Sequence, residues 1–167
     1  MVLPASVPVD GTRRVIYVPT VADPAAVTVA EANGGTPIAG YVTGDGWTPG
    51  GDQATIPDPR LQSSQDFERP GRKTKTLSIR YVYNLNSPED DQARITLAEG
   101  TTGYLLNVLQ KPEEDGDEIT AEDWYEAWPI QAGEQYVMPA EANAIDRIEQ
   151  KTFVTGRVEK FRQFAAA

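Results

Sequence analysis

The sequence predicts a mainly β protein, with two packed antiparallel sheets in a sandwich or barrel, one short flanking helix and one long loop. The clearest observation is residues 74–83, where Leu77, Ile79 and Tyr81 alternate with polar side chains, the period of a half-buried strand. Further apolar runs are separated by Gly- and Pro-rich turns, whereas only residues 87–99 carry a helix signature. At 167 residues the chain suits a single domain, residues 1–167, with a real core.

The N-terminal part is predicted to be an arm followed by short strands. Residues 1–14 contain prolines that disfavour a helix, so we expect an N-terminal arm there. The apolar residues 15–18 predict a short edge strand. Residues 27–30 and 38–42, separated by an Asn-Gly-Gly turn, predict a β-hairpin.

Residues 43–72 predict a long loop, because they hold five glycines and four prolines and show no regular period. A structureless loop of this length is uncommon in a compact domain unless it is disordered or functional. Its apolar residues would be a liability in free solvent, which favours a loop that docks on another subunit. These residues are Trp47, Ile56, Leu61 and Phe67.

The C-terminal half is predicted to alternate one helix with strands. Ser87 as N-cap, Pro88 after it, acids in the first turn and Gly100 beyond the end together predict a helix over residues 87–99. Residues 101–111 resume a strand. Residues 124–138 predict a strand interrupted at Pro129 and Gly133, and residues 145–164 predict one long strand or a pair bent at Gly156.

Composition excludes much of enzyme chemistry. The chain has no Cys and no His, which removes thiol nucleophiles, disulfides, structural zinc sites and Ser-His-Asp catalysis. The net charge of −10 argues against a phosphate-binding surface. Without a basic leader or a long apolar run, we expect the protein to be made and kept in the cytoplasm.

The charges are unevenly distributed along the chain. Residues 87–123 hold eleven acids against Arg94 and Lys111, whereas residues 69–80 hold five bases and no acid. One interpretation is ordinary solvated faces. The other is a basic surface that meets the acidic surface of a neighbouring copy, head to tail.

Two clusters permit binding functions that compete with simpler interpretations. The acidic run at residues 113–118 offers carboxylate oxygens to a cation such as calcium, but it lacks the EF-hand spacing, so a solvated turn is favoured. Trp124, Tyr125 and Trp128 resemble the aromatic set of a carbohydrate-binding module, whereas packing within the sheet is the simpler interpretation.

Five ordered blocks resemble a known family. The blocks lie within residues 41–158 and read YVTGDGWTPGGDQATIPDPRLQSSQDFERPGRKTKTLSIRYVYN, LAEGTTGYLL, WPIQAGEQ, MPAEAN and IEQKTFVTGRV. They are similar to the major tail proteins, or tail tube proteins, of long-tailed bacteriophages that infect actinobacteria. The resemblance implies a β-sandwich or barrel, tail-tube-like, flanked by a helix.

The resemblance also implies a structural virion protein without enzymatic activity or cofactors. Such subunits assemble in the host cytoplasm into hexameric rings that stack head to tail in the virion tail, and DNA passes through the lumen without specific binding. Their other partners would be tape measure, tail terminator and distal tail proteins. A tail terminator or head-to-tail joining protein, which makes one ring and stops, is the alternative within virion proteins.

The hypothesis for the long loop is therefore an inter-subunit contact at residues 43–72. Its predicted apolar anchors and charged partners are Trp47, Ile56, Leu61, Phe67, Arg60, Arg69 and Arg72.

Overall fold

The computed structural model describes residues 2–112 and 118–166, which form eight strands, two short α-helices and a 3-10 turn. The prediction of a mainly β fold is confirmed. The strands are β1 (Arg14–Val18), β2 (Thr36–Pro37), β3 (Val42–Asp58), β4 (Phe67–Val82), β5 (Thr102–Leu109), β6 (Trp124–Val137), β7 (Arg147–Val154) and β8 (Glu159–Gln163). The helices are α1 (Val29–Asn33) and α2 (Gln92–Thr96), and the 3-10 turn is Pro88–Asp90.

Hydrogen bonds join these strands into one antiparallel sheet rather than two, in the order β2-β1-β5-β6-β7-β4-β3, with β8 paired to β6. The sheet curls strongly. Trp47 of β3 meets Trp128 of β6 edge to face, with ring centroids 6.2 Å apart, although β4 and β7 separate their strands in the sheet order. The curled sheet therefore encloses a core as a sandwich would.

The enclosed face of the sheet forms the larger core cluster. Leu77, Ile79 and Tyr81 of β4 are fully buried there, which confirms the predicted alternation of that strand. They pack with Leu105 of β5 and Trp128 of β6. Burial of such side chains is the main stabilising term, and truncating one to alanine typically costs about 2–5 kcal/mol.

The opposite face of β1, β5 and β6 carries a second cluster, covered by residues 19–35 and by Phe164. Tyr125 stacks on Phe164 with centroids 4.4 Å apart and donates a hydrogen bond to the Pro24 carbonyl at 3.0 Å. Since both faces of β1 are covered, all five of its residues are buried. The expected edge strand is instead second in the sheet, between β2 and β5.

The predicted hairpin at residues 27–42 is wrong, because a capping box starts α1 inside it. The Thr28 hydroxyl accepts from the Glu31 amide at 3.2 Å, and the Glu31 carboxylate accepts from the Thr28 amide at 2.8 Å. Two otherwise unsatisfied helix donors are thereby paired, which outweighs the strand preference of the β-branched residues nearby.

The predicted helix over residues 87–99 is also corrected, since only Pro88–Asp90 and Gln92–Thr96 are helical. Asp91 interrupts it. Its buried carboxylate accepts from the Asn84 amide at 2.8 Å and from Arg94 Nε at 3.1 Å, which fixes a non-helical backbone at that residue. Ala93 and Leu97 are buried as expected, while Ser87 makes no side-chain cap.

The remaining strand predictions are confirmed, except that β6 runs without interruption through Pro129, which pairs with Tyr104 of β5. Residues 101–111 contain β5, residues 124–138 contain β6, and residues 145–164 contain β7 and β8, which are separated around Gly156. The interruption expected at Gly133 is a register shift between Ala132 and Gln135, where β6 pairs with β7.

Candidate assembly interface

The prediction of a structureless loop at residues 43–72 is wrong, because β3 and β4 pair through most of this range. Their ladder runs from Val42↔Tyr81 to Asp58↔Phe67 and leaves only residues 59–66 outside strands. Pro49 and Pro57 lie in β3, the terminal strand of the sheet, and terminal strands are where proline is tolerated. Long-range pairing thus overrides the local turn composition.

The outer part of this hairpin leaves the body of the protein. The pairing of β4 with β7 ends at Leu77↔Thr152, whereas its pairing with β3 continues to Phe67. Residues 50–76 therefore form a two-stranded hairpin arm. Nearly all of its side chains are exposed on both faces. A two-stranded ribbon alone is marginally stable in water, so the arm gains most from packing on a partner.

The base of the hairpin arm is fixed by a bulge and a charge network. Between Val42 and Trp47 the register shifts, and a Cβ on Gly46 would lie 2.2 Å from the Arg80 carbonyl oxygen. The Arg80 guanidinium contacts Glu149 at 2.7 Å and Asp45 at 3.3 Å. The hydrogen bond to Glu149 raises the pKa of Arg80, and the Thr43 hydroxyl lowers the pKa of Asp45. The arm consequently leaves the body in a defined direction.

Three of the predicted anchors lie on the hairpin arm. The exposed fractions of Ile56, Leu61 and Phe67 are 52%, 105% and 45%. Ile56 pairs across the ladder with Arg69, and Phe67 pairs with Asp58, so these four side chains share one face of the ribbon. Exposed apolar groups on a projecting element are typical of an interaction surface.

Trp47, the fourth predicted anchor, packs in this chain's own core against Trp128. Its indole Nε1 is buried and has no hydrogen-bond partner within residues 2–112 and 118–166. It lines a cavity of about 600 Å³ at the base of the arm, with Val9, Val15, Asn107 and Glu126 among the other lining residues. Trp47 thus joins the arm to the body.

The predicted basic partners differ in their environment. Asp58 Oδ2 accepts from both Arg60 and Arg69 at 2.9 Å, which ties together the two strands near the tip of the arm. These pairs are exposed, so each contributes at most about 1 kcal/mol. Arg72 has no ion pair in the described part of the chain.

A basic residue without any distinguishing sequence pattern lies beside the arm. Lys160 of β8 lines one open groove with Lys73 and Lys75 of β4. The two segments are distant in sequence and meet because β8 pairs with β6.

The N-terminal residues 2–13 precede β1 without regular structure, and their apolar side chains at Val2, Leu3, Val7 and Val9 are exposed. These side chains are therefore a second exposed apolar group available to a partner. Residues 1–14 as an arm remain a prediction for assembly.

The carbohydrate-binding arrangement is contradicted by the fold. Tyr125 and Trp128 are buried on opposite faces of the sheet, and only Trp124 is exposed. They form no common aromatic platform. Residues 113–117 of the acidic run lie outside the described residues. Elsewhere, no group of three or more acidic side chains is placed to hold a metal ion.

No helix among the described residues has the length and apolar character needed to span a membrane.

The described residues thus form one curled antiparallel sheet whose terminal strand extends into an exposed arm. The family model of the phage tail tube protein matches residues 1–167, and the chain belongs to that family. Comparison with curated proteins gave no match.

Family membership confirms the tail protein resemblance. The protein is a structural component of a phage tail. Its copies assemble into a tube and contact other tail proteins.

Proposed function

We propose that this chain is the repeating subunit of the tail tube of a long-tailed phage that infects actinobacteria. Its copies form hexameric rings that stack head to tail, and DNA passes through the lumen into the host. The hairpin arm, residues 50–76, docks on the adjacent ring. The tube is assembled in the host cytoplasm with tape measure, tail terminator and distal tail proteins as partners.

The observation that carries the proposal is the hairpin arm itself. It extends from the terminal strand β3, presents Ile56, Leu61 and Phe67 to solvent, and contacts little of its own chain. An arm that reaches away from the body makes a contact between two unlike surfaces. Such heterologous contacts propagate into filaments when the rotation does not close.

The edge of β3 supports pairing within a ring. An unpaired strand edge presents a row of free backbone donors and acceptors, and β3 is 17 residues long. A neighbouring copy that adds a strand at this edge would satisfy those groups and continue the sheet around the ring.

The net charge supports passage of DNA without binding. A protein with a net charge of −10 repels phosphates on average and releases no counterions from DNA. An anionic lumen would let the nucleic acid slide.

Electron microscopy of the purified protein over a concentration series tests this function. We expect hollow tubes that lengthen with concentration. Single rings at every concentration would favour the terminator or joining protein, and monomers alone would contradict the proposal.

A truncated variant tests the arm. Replacing residues 51–75 by an Asn-Gly turn joins the paired residues Gly50 and Thr76 by a two-residue loop, the shortest favoured hairpin connection. We expect a folded subunit that no longer forms tubes. Long tubes from this variant would show that the arm is not the inter-ring contact.

A triple substitution isolates the apolar contacts. Ile56→Ser, Leu61→Ser and Phe67→Ser together should raise the concentration needed for assembly about tenfold or more, because truncated apolar anchors commonly cost 1.4 kcal/mol or more. The control variant carries Leu85→Ser and Ile95→Ser, which are exposed apolar residues outside the arm.

A further inference from the structure

Three lysines converge on one groove where the hairpin arm leaves the body. Lys73 and Lys75 come from β4 and Lys160 from β8, and the groove has a volume of about 460 Å³. Asp52 is the acid among its lining residues, so the lining carries a net charge of +2 in a protein whose net charge is −10. None of the three lysines forms an ion pair within residues 2–112 and 118–166.

The backbone makes room for this cluster. Gly51 lies directly across the ladder from Lys75. A Cβ there would lie 2.6 Å from the Thr74 carbonyl oxygen and 3.5 Å from Lys75 Cδ. Glycine at position 51 therefore permits the close approach of the β4 backbone at Thr74, and the stem of Lys75 lies beside it.

The position of Lys160 depends on a distorted strand. The pairing of β8 with β6 shifts register between Tyr125 and Ala127, and Phe161 opposite has a φ of 52°, in the left-handed region. This conformation is unfavourable for a bulky aromatic residue. The neighbouring Lys160 Nζ lies 5.8 Å from the Trp128 ring centroid, within the range of a cation–π contact. The bulge thus directs Lys160 to the groove, as bulges commonly re-aim a side chain.

We propose that this groove binds carboxylates presented by a second copy of the chain. This proposal rests on the proposed self-assembly. It specifies that one contact between copies joins lysines to carboxylates. A second copy is the occupant that charge complementarity favours, since the chain has 25 acids against 15 bases. Its residues 87–123 alone hold eleven acids, among which Glu89 and Asp90 are exposed.

The lysine side chains in the groove repel one another, which supports the same conclusion. The nearby ammonium group of Lys160 lowers the pKa of Lys75, and Glu126 offsets this only in part. A bound carboxylate would favour both ammonium groups and remove this repulsion.

Carbodiimide cross-linking tests the proposal, because the reagent joins a lysine amine to a carboxylate it contacts. Tubes are grown from equal parts of isotopically labelled and unlabelled chains, so that a mixed-label peptide pair identifies a link between copies. We expect mixed links from Lys75 or Lys160 to Asp or Glu residues in tubes and not in monomers. Tubes without such links would overturn the proposal and leave the proposed function standing, whereas absence of any assembly would overturn both.

Charge removal gives the second readout. Lys75→Gln with Lys160→Gln should raise the concentration needed for tube formation about tenfold. The control, Lys151→Gln with Arg157→Gln, removes the same charge from exposed residues outside the groove, the hairpin arm and the N-terminal segment. An equal effect in both variants would contradict a specific groove. Protection of the three lysines from amine modification by a short DNA duplex would overturn it in favour of nucleic-acid phosphates.

Discussion

Tyr81 and Gln150 hydrogen-bond to each other in the core, where both side chains are fully buried. Tyr81 Oη donates to Gln150 Oε1 at 3.0 Å, and Gln150 Nε2 donates to the carbonyls of Leu97 at 2.7 Å and Gly133 at 2.8 Å. Leu97 follows α2, and Gly133 lies in β6. The Gln150 side chain therefore links the segment after α2 and the β6 bulge to the enclosed face of the sheet.

The substitution Gln150→Leu should destabilise the fold by about 2–4 kcal/mol, because it leaves two carbonyls and the Tyr81 hydroxyl with fewer partners in a buried site. Urea denaturation followed by tryptophan fluorescence measures the loss. The matched control is Gln131→Leu in the exposed part of β6, which should change stability by less than about 0.5 kcal/mol. Similar values for the two variants would mean that the buried network contributes little.

The raised pKa of Tyr81 predicts that the protein loses stability at alkaline pH. Burial raises its pKa from 10.0 to about 12, because the phenolate would lose its hydration, and the hydrogen bond from Gln135 opposes this only in part. Since the folded-state pKa lies above that of the unfolded chain, this contribution is fully present below pH 10 and is lost between about pH 10 and 12. The full change corresponds to about 2–3 kcal/mol.

Urea denaturation across pH 8–12 compares the protein with Tyr81→Phe. We expect the variant to be about 1 kcal/mol less stable at pH 8 and to lose less stability on going to pH 12. Parallel pH profiles would assign the alkaline loss to other groups, among which Tyr17 and Tyr125 also have raised pKa values owing to burial.

The elements predicted correctly from the sequence are those with a local period. The alternation of Leu77, Ile79 and Tyr81 predicted a strand because one face is buried and the other is not. Asp91 shows where such reasoning fails. Its burial under Asn84 and Arg94 is a tertiary contact that breaks a helix whose local signals were complete. The spacing of Thr28 and Glu31 fits a capping box, but the β-branched neighbours favoured the strand interpretation.

The candidate interface was predicted in part. Composition indicated that residues 43–72 were unusual and selected four apolar residues there, of which Ile56, Leu61 and Phe67 are exposed, whereas Trp47 packs against the core. Composition did not indicate strands there, because these strands are stabilised by pairing between residues that are distant in sequence. The groove could not be predicted, since Lys160 joins Lys75 only through the pairing of β8 with β6.

Substituting Asp58 should loosen the tip of the hairpin arm without changing the stability of the rest of the protein. Its carboxylate ties Arg60 and Arg69 together near the tip, far from the packed core, so Asp58→Asn should change the free energy of unfolding by less than about 0.5 kcal/mol. The same substitution should speed amide hydrogen exchange at residues 55–70, because the strands near the tip separate more often.

Urea denaturation and hydrogen exchange of the unassembled protein test both statements. The control is Asp45→Asn, which weakens the pairing of Arg80 at the base of the arm and should leave exchange at residues 55–70 unchanged. A loss above about 1.5 kcal/mol for Asp58→Asn would show that the arm packs on its own body. In that case its apolar face would be part of the fold, and the surface proposed to dock on the adjacent ring would be occupied already.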